Sequence, residues 1–357
     1  MIYILAFIIL IGIIVFVHEL GHYLAARSVG VTVEQFSIGM PPTVYNYKPK
    51  NSDTVFSIGA LPLGGYVKMK GILDESMDSS FTGSDDELES KTPLQKIWVM
   101  SAGVLMNILL AFILFAGLGA INGEAVPANN NTTIDYIAEN GPAFEGGINQ
   151  GDTIISVNNI SVKTWDDFTA IIEKNPNTEL NIIFDRNGIE MQKNIITTSA
   201  PDIRTGRVDR LVGKLGIGKE MQVNSLGFTG LLRHGYEQTI WSMTLMTFSL
   251  KMIFSGNVGR DDVGSVIMIG QMAGDAAQAG LTPFLTLMAL ISVNLAFINI
   301  LPIPALDGGH IMVILIEMLL GRSLSVKTRM RIQSVGMYLL LGLMAFLIIN
   351  DILRVFF

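Results

Sequence analysis

Residues 18–22 read HELGH and follow an apolar stretch, MIYILAFIILIGIIVFV (1–17), that contains no charged side chain. An apolar stretch of about 20 residues is long enough for a helix to cross a bilayer. Burying ionisable side chains near the end of such a helix costs roughly a few kcal/mol unless they face a cavity, a partner or a metal. The stretch therefore indicates a membrane helix whose polar residues carry a function.

The composition also favours a membrane protein. Of the 357 residues, 50% are hydrophobic and 15% are charged, whereas soluble domains contain about 25% charged residues. The net charge of −7 and the absence of a run of Lys and Arg argue against a nucleic-acid partner. Because the chain contains no cysteine, a metal site would have to use His, Asp, Glu or Asn.

Four apolar segments are candidates for membrane spans: 2–26, 97–121, 284–303 and 335–349. The first lacks the positively charged start of a signal peptide, and cleavage after it would separate the HELGH sequence from the rest, so we expect it to be retained. Segment 226–254 is a fifth candidate, but charged residues and threonines interrupt it. This pattern favours an interfacial amphipathic helix over a span.

Basic residues predict the orientation of the spans. Four of them lie between the last two candidate spans: Arg322, Lys327, Arg329 and Arg331. The positive-inside rule places this connection in the cytoplasm. Counting back through four spans puts the N-terminus and residues 122–283 outside, and residues 27–96 inside.

The outer region contains a sequence typical of a small α+β domain. In GPAFEGGINQGDTIISVNNISVKTWDDFTAII (141–172), turn glycines separate short strands, and a helix is predicted to begin at Trp165. The following TELNIIFDRNGIEMQKNIITT predicts a hairpin that turns at Asn187-Gly188. The pattern resembles a bacterial PDZ domain. That resemblance implies peptide recognition by strand addition, although a spacer that restricts entry to the membrane part would have the same placement.

The HELGH sequence has the spacing of a metal site. Residues four apart on a helix lie on one face, about 6 Å apart along its axis, so His18 and His22 can bind one zinc ion. Glu19 is close enough to accept a proton from a zinc-bound water. This is the HExxH pattern of metalloproteases.

The third ligand is predicted near the other end of the chain. In NILPIPALDGGH (299–310), Pro302 and Pro304 break the helix and leave Asp307 in a glycine-rich turn. The first and third spans run in the same direction, so HELGH and Asp307 both lie toward the cytoplasmic side. Two other polar residues lie near these segments. Asn107 fits either a substrate path or an interhelical hydrogen bond. His310 is expected outside the ligand set, because a catalytic zinc keeps one coordination position free of protein ligands.

Taken in order, these segments resemble the site-2 protease family of intramembrane zinc metalloproteases, in its bacterial PDZ-containing branch. The resemblance rests on HELGHYLAARSVGVTVEQFSIGM, FSIGALPLGGYVKMKG, SAGVLMNILLAFILF, the PDZ unit and NILPIPALDGGH. It implies that His18, His22 and Asp307 bind one zinc ion per chain. It also implies that Glu19 is the catalytic base and that Asn299 binds the substrate backbone or stabilises the oxyanion.

The expected fold is a polytopic α-helical membrane protein with about four transmembrane helices, a membrane-dipping β-hairpin at 56–70 and an extracytoplasmic α+β PDZ domain. The expected location is the bacterial inner (cytoplasmic) membrane. The expected domains are 1–121 and 283–357 for the two halves of the membrane catalytic domain, 122–220 for the PDZ domain and 221–282 for the interfacial helix and its connector.

The resemblance implies an intramembrane zinc endopeptidase that cleaves transmembrane segments of single-pass proteins, such as anti-sigma factors or remnant signal peptides. Zinc-activated water would attack with Glu19 as base, and another protease would first shorten the substrate on its outer side. The expected partners are this substrate and the lipid bilayer. The alternative is a non-catalytic PDZ scaffold with a structural zinc site, which has no need of Glu19. A transporter is a weaker alternative, because the sequence contains no internal repeat.

Overall fold

The computed structural model describes residues 1–71, 83–203, 207–256, 264 and 266–356. The α-helices are α1 (Ile2–Ser28), α2 (Pro93–Asn122), α3 (Pro142–Glu145), α4 (Trp165–Glu173), α5 (Phe228–Phe254), α6 (Val266–Ala279), α7 (Leu281–Ile300), α8 (Asp307–Leu320) and α9 (Val326–Phe356). The strands are β1 (Val33–Tyr47), β2 (Val55–Met69), β3 (Glu124–Pro127), β4 (Tyr136–Ile137), β5 (Thr153–Val157), β6 (Ile160–Ser161), β7 (Glu179–Arg186), β8 (Ile189–Ile196), β9 (Thr198–Asp202), β10 (Arg207–Lys214), β11 (Ile217–Gly218) and β12 (Met221–Asn224).

The chain divides into two compact units. The first comprises Met1–Leu118, Leu232–Met243 and Val258–Phe357, and the second comprises Gly119–Leu231 and Thr244–Asn257. The first unit contains the HELGH helix and the helices that follow α5. The second contains the predicted PDZ segment.

Four helices have the length and apolar composition needed to cross a membrane: α1, α2, α7 and α9. At most 33% of the most apolar window of each helix is buried inside the protein, so most of these side chains face outward. An outward apolar surface is what a lipid environment requires, and the prediction of four helices long and apolar enough to cross a membrane is confirmed. Helix α5 is also long, but among the described residues it is not one of the helices apolar enough to cross a membrane. Its interfacial location stays a prediction.

The structure corrects the prediction for the segment after α7. Asp307 does not lie in an open turn, because it is the first residue of helix α8. Helical structure stops at Ile300, and the two prolines that follow lack backbone N–H groups. It resumes after Leu306, whose extended backbone forms the N-cap. Of the four basic residues, Arg322 lies in the short connection between α8 and α9. Lys327, Arg329 and Arg331 lie in the first turns of α9.

The structure also corrects the bounds of the β-hairpin. Almost all of 56–70 belongs to the single strand β2, which pairs antiparallel with β1. Residues Gln35–Ile38 of β1 have partners on both sides, in Val55–Ile58 and in Gly65–Lys68. At Gly59 the chain passes very close to β1, since a Cβ atom there would lie 2.3 Å from the Met40 carbonyl oxygen. Entry of this hairpin into the membrane stays a prediction.

The second unit is built around a four-stranded sheet in the order β6-β5-β7-β8. Asn187 and Gly188 both have positive φ, at 54° and 84°, and they join β7 to β8 as predicted. Helix α4 begins at Trp165, also as predicted, and Thr164 and Asp167 cap it reciprocally. Buried aliphatic and aromatic side chains from the sheet and α4 form the core, among them Phe168, Leu180 and Phe184.

A candidate metal centre

The two histidines of HELGH lie on one buried face of helix α1. His18 and His22 are each 6% exposed, and their rings meet edge to face with centroids 4.8 Å apart. Their Nε2 atoms lie 3.3 Å from each other. The i, i+4 spacing thus brings one nitrogen of each ring to the same point.

Helix α8 brings a carboxylate to the same point. Asp307 Oδ2 lies 3.2 Å from His18 Nε2 and 3.3 Å from His22 Nε2. Asp307 is the first residue of α8, where the unpaired N–H groups and the helix dipole stabilise an anion. The two glycines that follow allow close packing against the segment before α8. A Cβ atom at Gly308 would lie 2.2 Å from the Leu301 carbonyl oxygen, and one at Gly309 would lie 2.3 Å from that of Ile303.

The three atoms have the spacing of metal ligands. They form a triangle with sides of 3.2, 3.3 and 3.3 Å. Tetrahedral coordination with zinc–ligand bonds of about 2.0–2.1 Å separates neighbouring ligands by about 3.3–3.4 Å. Asp307 Oδ2 is also buried and receives no hydrogen bond of good geometry from the residues that the structure describes. Two imidazoles and one carboxylate with a further position open is a ligand set of catalytic zinc, and these residues fit it.

The ring of His22 is held by helix α2. Its Nδ1–H donates to the Val99 carbonyl oxygen over 2.8 Å, inside the protein. A histidine whose Nδ1 carries the proton presents the lone pair of Nε2 to a metal, and a backbone carbonyl is a common partner of such a ligand. This bond therefore orients His22 for binding through Nε2.

Helix α2 passes very close to both rings at Gly103. A Cβ atom at Gly103 would lie 2.4 Å from His22 Nε2 and 2.8 Å from His18 Nδ1. Helix α1 approaches α2 in the same way at Gly21, where a Cβ atom would lie 2.4 Å from the Ala102 carbonyl oxygen. These two glycines were not predicted from the sequence to be part of the site. Their only signal is the glycine itself, and its meaning depends on which helices are neighbours.

The remaining predicted residues lie beside the triangle. Asn299, in the last turns of α7, places Nδ2 3.2 Å from His18 Nε2. Glu19 follows His18 on α1 and is partly exposed. Strand β2 lies against its side chain, since a Cβ atom at Gly65 would lie 3.2 Å from Glu19 Cγ. The structure thus gathers the five predicted residues in one place.

His310 lies outside the triangle and faces Gln333 of α9, whose Nε2 is 3.2 Å from His310 Nε2. Gln333 also holds the segment that leads to Asp307. The Ala305 N–H donates to Gln333 Oε1 over 2.6 Å, and Ala305 has a φ of 77°, in the left-handed region. Sequence reasoning missed this support because neither residue carries a metal-site pattern.

Comparisons with known proteins find zinc metalloproteases among the relatives of this chain. The model of peptidase family M50 matches residues 6–343. Protein Cj1068 of Campylobacter jejuni, whose name assigns it provisionally to the zinc metalloproteases, is 35% identical over 98% of this chain and 93% of its own. The probable protease eep of Enterococcus faecalis is 30% identical over 99% of both chains. The zinc metalloprotease RasP of Shouchella clausii is 27% identical over 99% of both chains.

Among the similar solved structures is the PDZ domain of the SdrC-like protein of Listeria monocytogenes. It covers 26% of this chain and 90% of its own length, with 17% sequence identity and a TM-score of 0.22. A TM-score this low does not assign a fold, so the PDZ interpretation depends on the sequence pattern of residues 141–198.

Proposed function

The chain belongs to peptidase family M50, the site-2 protease family, and on this premise we propose that it is an intramembrane zinc endopeptidase that cleaves transmembrane segments. The observation that carries the proposal is the triangle of His18, His22 and Asp307. Its two histidines lie in a helix with the length and composition of a membrane span. Buried ionisable groups at such a position are expected to serve a function.

We assign one zinc ion per chain to the three residues of the triangle. When bound, zinc supplies a Lewis acid that polarises the scissile carbonyl and lowers the pKa of water toward about 7. His18, His22 and Asp307 would hold it through Nε2, Nε2 and Oδ2, and both histidines are buried.

Glu19 is the proposed general base. As a water oxygen bonds to the scissile carbonyl carbon, the Glu19 carboxylate accepts a water proton, and it then delivers that proton to the leaving amine nitrogen as the C–N bond breaks. Asn299 is the proposed donor to the oxyanion or to the substrate backbone. What supports this role is the 3.2 Å distance between its Nδ2 and His18 Nε2.

A transmembrane substrate must unwind before it is cut, because a helix hides its carbonyl groups in internal hydrogen bonds. An extended substrate segment can be held by pairing with the edge of a sheet. Residues Gly65–Lys68 pair with β1 on one side, and Gly65 packs against Glu19. We therefore propose that this edge of β2 presents the unwound segment to Glu19.

The proposed substrates are single-pass proteins shortened on their outer side, such as anti-sigma factors or remnant signal peptides. The proposed location is the bacterial inner membrane, with residues 122–220 outside as a PDZ domain that selects or filters substrates. The proposed domain bounds follow from this arrangement, with residues 1–121 and 283–357 forming the catalytic part and residues 221–282 lying at the interface.

The experiment is cleavage of designed transmembrane substrates by the purified full chain in detergent. The substrates range from an all-Leu span to a span with central Gly-Pro. Because Gly and Pro lower helix stability by about 1–3 kcal/mol relative to Ala, we expect cleavage to rise about tenfold or more across the series. Removal of zinc by a chelator should stop it. Equal cleavage across the series would contradict the unwinding step, and bound zinc without cleavage of any substrate would favour a non-catalytic scaffold.

A further inference from the structure

One face of helix α2 lies against the two histidines. Val99, Gly103 and Asn107 are spaced four residues apart, so they share one face of the helix. The Val99 carbonyl accepts the Nδ1–H of His22, and Gly103 leaves room for both rings. Asn107 lies at the height of His18, with its side-chain amide next to Nδ1 of that ring.

The side chain of Asn107 is fully buried, at 0% exposed. Its Nδ2 lies 3.3 Å from His18 Nδ1, while its Oδ1 is buried with no hydrogen-bond partner among the residues that the structure describes. A buried carbonyl oxygen without a donor is unfavourable.

Exchanging the oxygen and nitrogen of the amide brings the carbonyl oxygen to the atom that faces His18. The two orientations have the same shape, so the hydrogen-bond network decides between them. A neutral histidine that binds a metal through Nε2 carries its proton on Nδ1 and needs an acceptor there. In the exchanged orientation Asn107 Oδ1 takes the place 3.3 Å from His18 Nδ1 and accepts that proton.

We propose that Asn107 is a positioning residue, whose Oδ1 accepts a hydrogen bond from His18 Nδ1–H and keeps His18 Nε2 directed at the metal. The Val99 carbonyl does the same for His22. Helix α2 thus orients both imidazoles, with a side chain for one and its backbone for the other. This inference rests on the proposed zinc site.

The link between helices α2 and α7 at this level does not need the Asn107 side chain. Ser292 of α7 donates its hydroxyl to the backbone oxygen of Asn107 over 2.9 Å and is buried as well. The variant Ser292→Ala therefore removes a buried interhelical hydrogen bond at the same residue and leaves the amide beside His18 in place. It is the matched control for Asn107.

The test measures zinc affinity of the full chain in detergent, by competition with a chelator of known affinity. We expect Asn107→Leu, which keeps the size but removes the acceptor, to weaken zinc binding about 10–100-fold, the usual effect of losing such a partner. Asn107→Asp supplies an acceptor and should bind zinc at least as tightly as the native chain. Ser292→Ala should stay within about threefold of it.

A second readout is the visible absorption spectrum of the cobalt-substituted protein, which reports the geometry of the ligands. We expect the spectrum of Asn107→Leu to change and that of Asn107→Asp to match the native one. Native affinity in Asn107→Leu, or a loss in Asn107→Asp equal to that in Asn107→Leu, would overturn the proposal. If Asn107→Leu does not fold, Asn107→Asp decides, since a tenfold loss there contradicts the acceptor role. Failure of the native chain to bind zinc would instead refute the proposed function.

Discussion

Asp307 Oδ2 lies 3.2 Å from His18 Nε2, although the two residues come from opposite ends of the chain. The contact joins the first residue of α8 to the HELGH helix. Ion binding at this point would link the two halves of the membrane part, because the protein supplies two ligands from one half and one from the other.

Replacing Asp307 by Ala should remove most of the zinc. The native chain is expected to hold about one zinc ion, and two histidines alone leave a catalytic site one ligand short. Metal analysis of the purified protein measures the effect. Asp275→Asn is the control, because Asp275 is a carboxylate of the same unit that accepts a hydrogen bond from Tyr3. Full zinc retention in Asp307→Ala would remove Asp307 from the ligand set.

Glu19→Gln should stop cleavage but keep the zinc. An amide has almost the same size as the carboxylate and cannot accept the water proton, whereas the three proposed ligands are unchanged. We expect a loss of about 10²–10⁴-fold in the cleavage rate, the usual contribution of a general base. Cleavage of a Gly-Pro substrate and metal analysis are measured on the same preparation. Undiminished cleavage would exclude Glu19 as the base.

Gly103→Ala should weaken zinc binding and abolish activity together. The added methyl group would meet His22 Nε2 at 2.4 Å, so the rings or the helices must move apart. Gly117→Ala is the control in the same helix, because a Cβ atom there has no atom within 4 Å. Alanine favours a helix over glycine by about 1 kcal/mol, so this variant should be at least as stable as the native chain. Equal zinc contents in the two variants would show that the close approach at Gly103 does not matter.

The orientation of the chain can be tested with single cysteines, because the native sequence has none. Lys163 and Lys327 are exposed. We expect cysteine at Lys163 to react with an impermeant thiol reagent in intact cells, and cysteine at Lys327 to react only after the membrane is opened. Arg329 also lies in the first turns of α9, but it forms ion pairs with Glu89 and Glu317, so Lys327 is the better site for this test. The reverse labelling pattern would invert the proposed topology.

The ion-pair cluster at Glu89 predicts a pH dependence. Burial acts to raise the pKa of Glu89, but hydrogen bonds from Arg329 and Lys96 outweigh it, and its pKa lies below the ordinary value of 4.5. A lowered pKa means that the ionised pair stabilises the fold above the unfolded-state pKa, and that this contribution is lost as the pH falls through the folded-state pKa. Thermal unfolding should show Glu89→Gln less stable than the native chain at pH 7, by roughly 1 kcal/mol. The difference should shrink as the pH falls below the unfolded-state pKa of about 4.3, and a difference that does not shrink with falling pH would contradict the electrostatic cause.

Local patterns in the sequence determined several features of this protein. Apolar segments of sufficient length predicted the four membrane helices, because burying a helix in lipid requires an apolar surface along its whole length. The spacing of His18 and His22 placed both on one helix face, and Asn187-Gly188 predicted the turn between β7 and β8. These features depend on residues close together in the chain.

Other features were decided only by the tertiary structure. The sequence suggested Asp307 as a ligand, but its place at the start of α8 follows from packing of Gly308 and Gly309 against the preceding segment. Helices α1 and α2 pack closely at Gly21 and Gly103, where a side chain would not fit. This close packing allows the contacts of Asn107 with His18 and of Val99 with His22. Helix periodicity tells which residues share a face, but it does not tell which other helix that face meets. That choice is made by close packing between segments distant in the chain, and it determines which atoms orient the histidines.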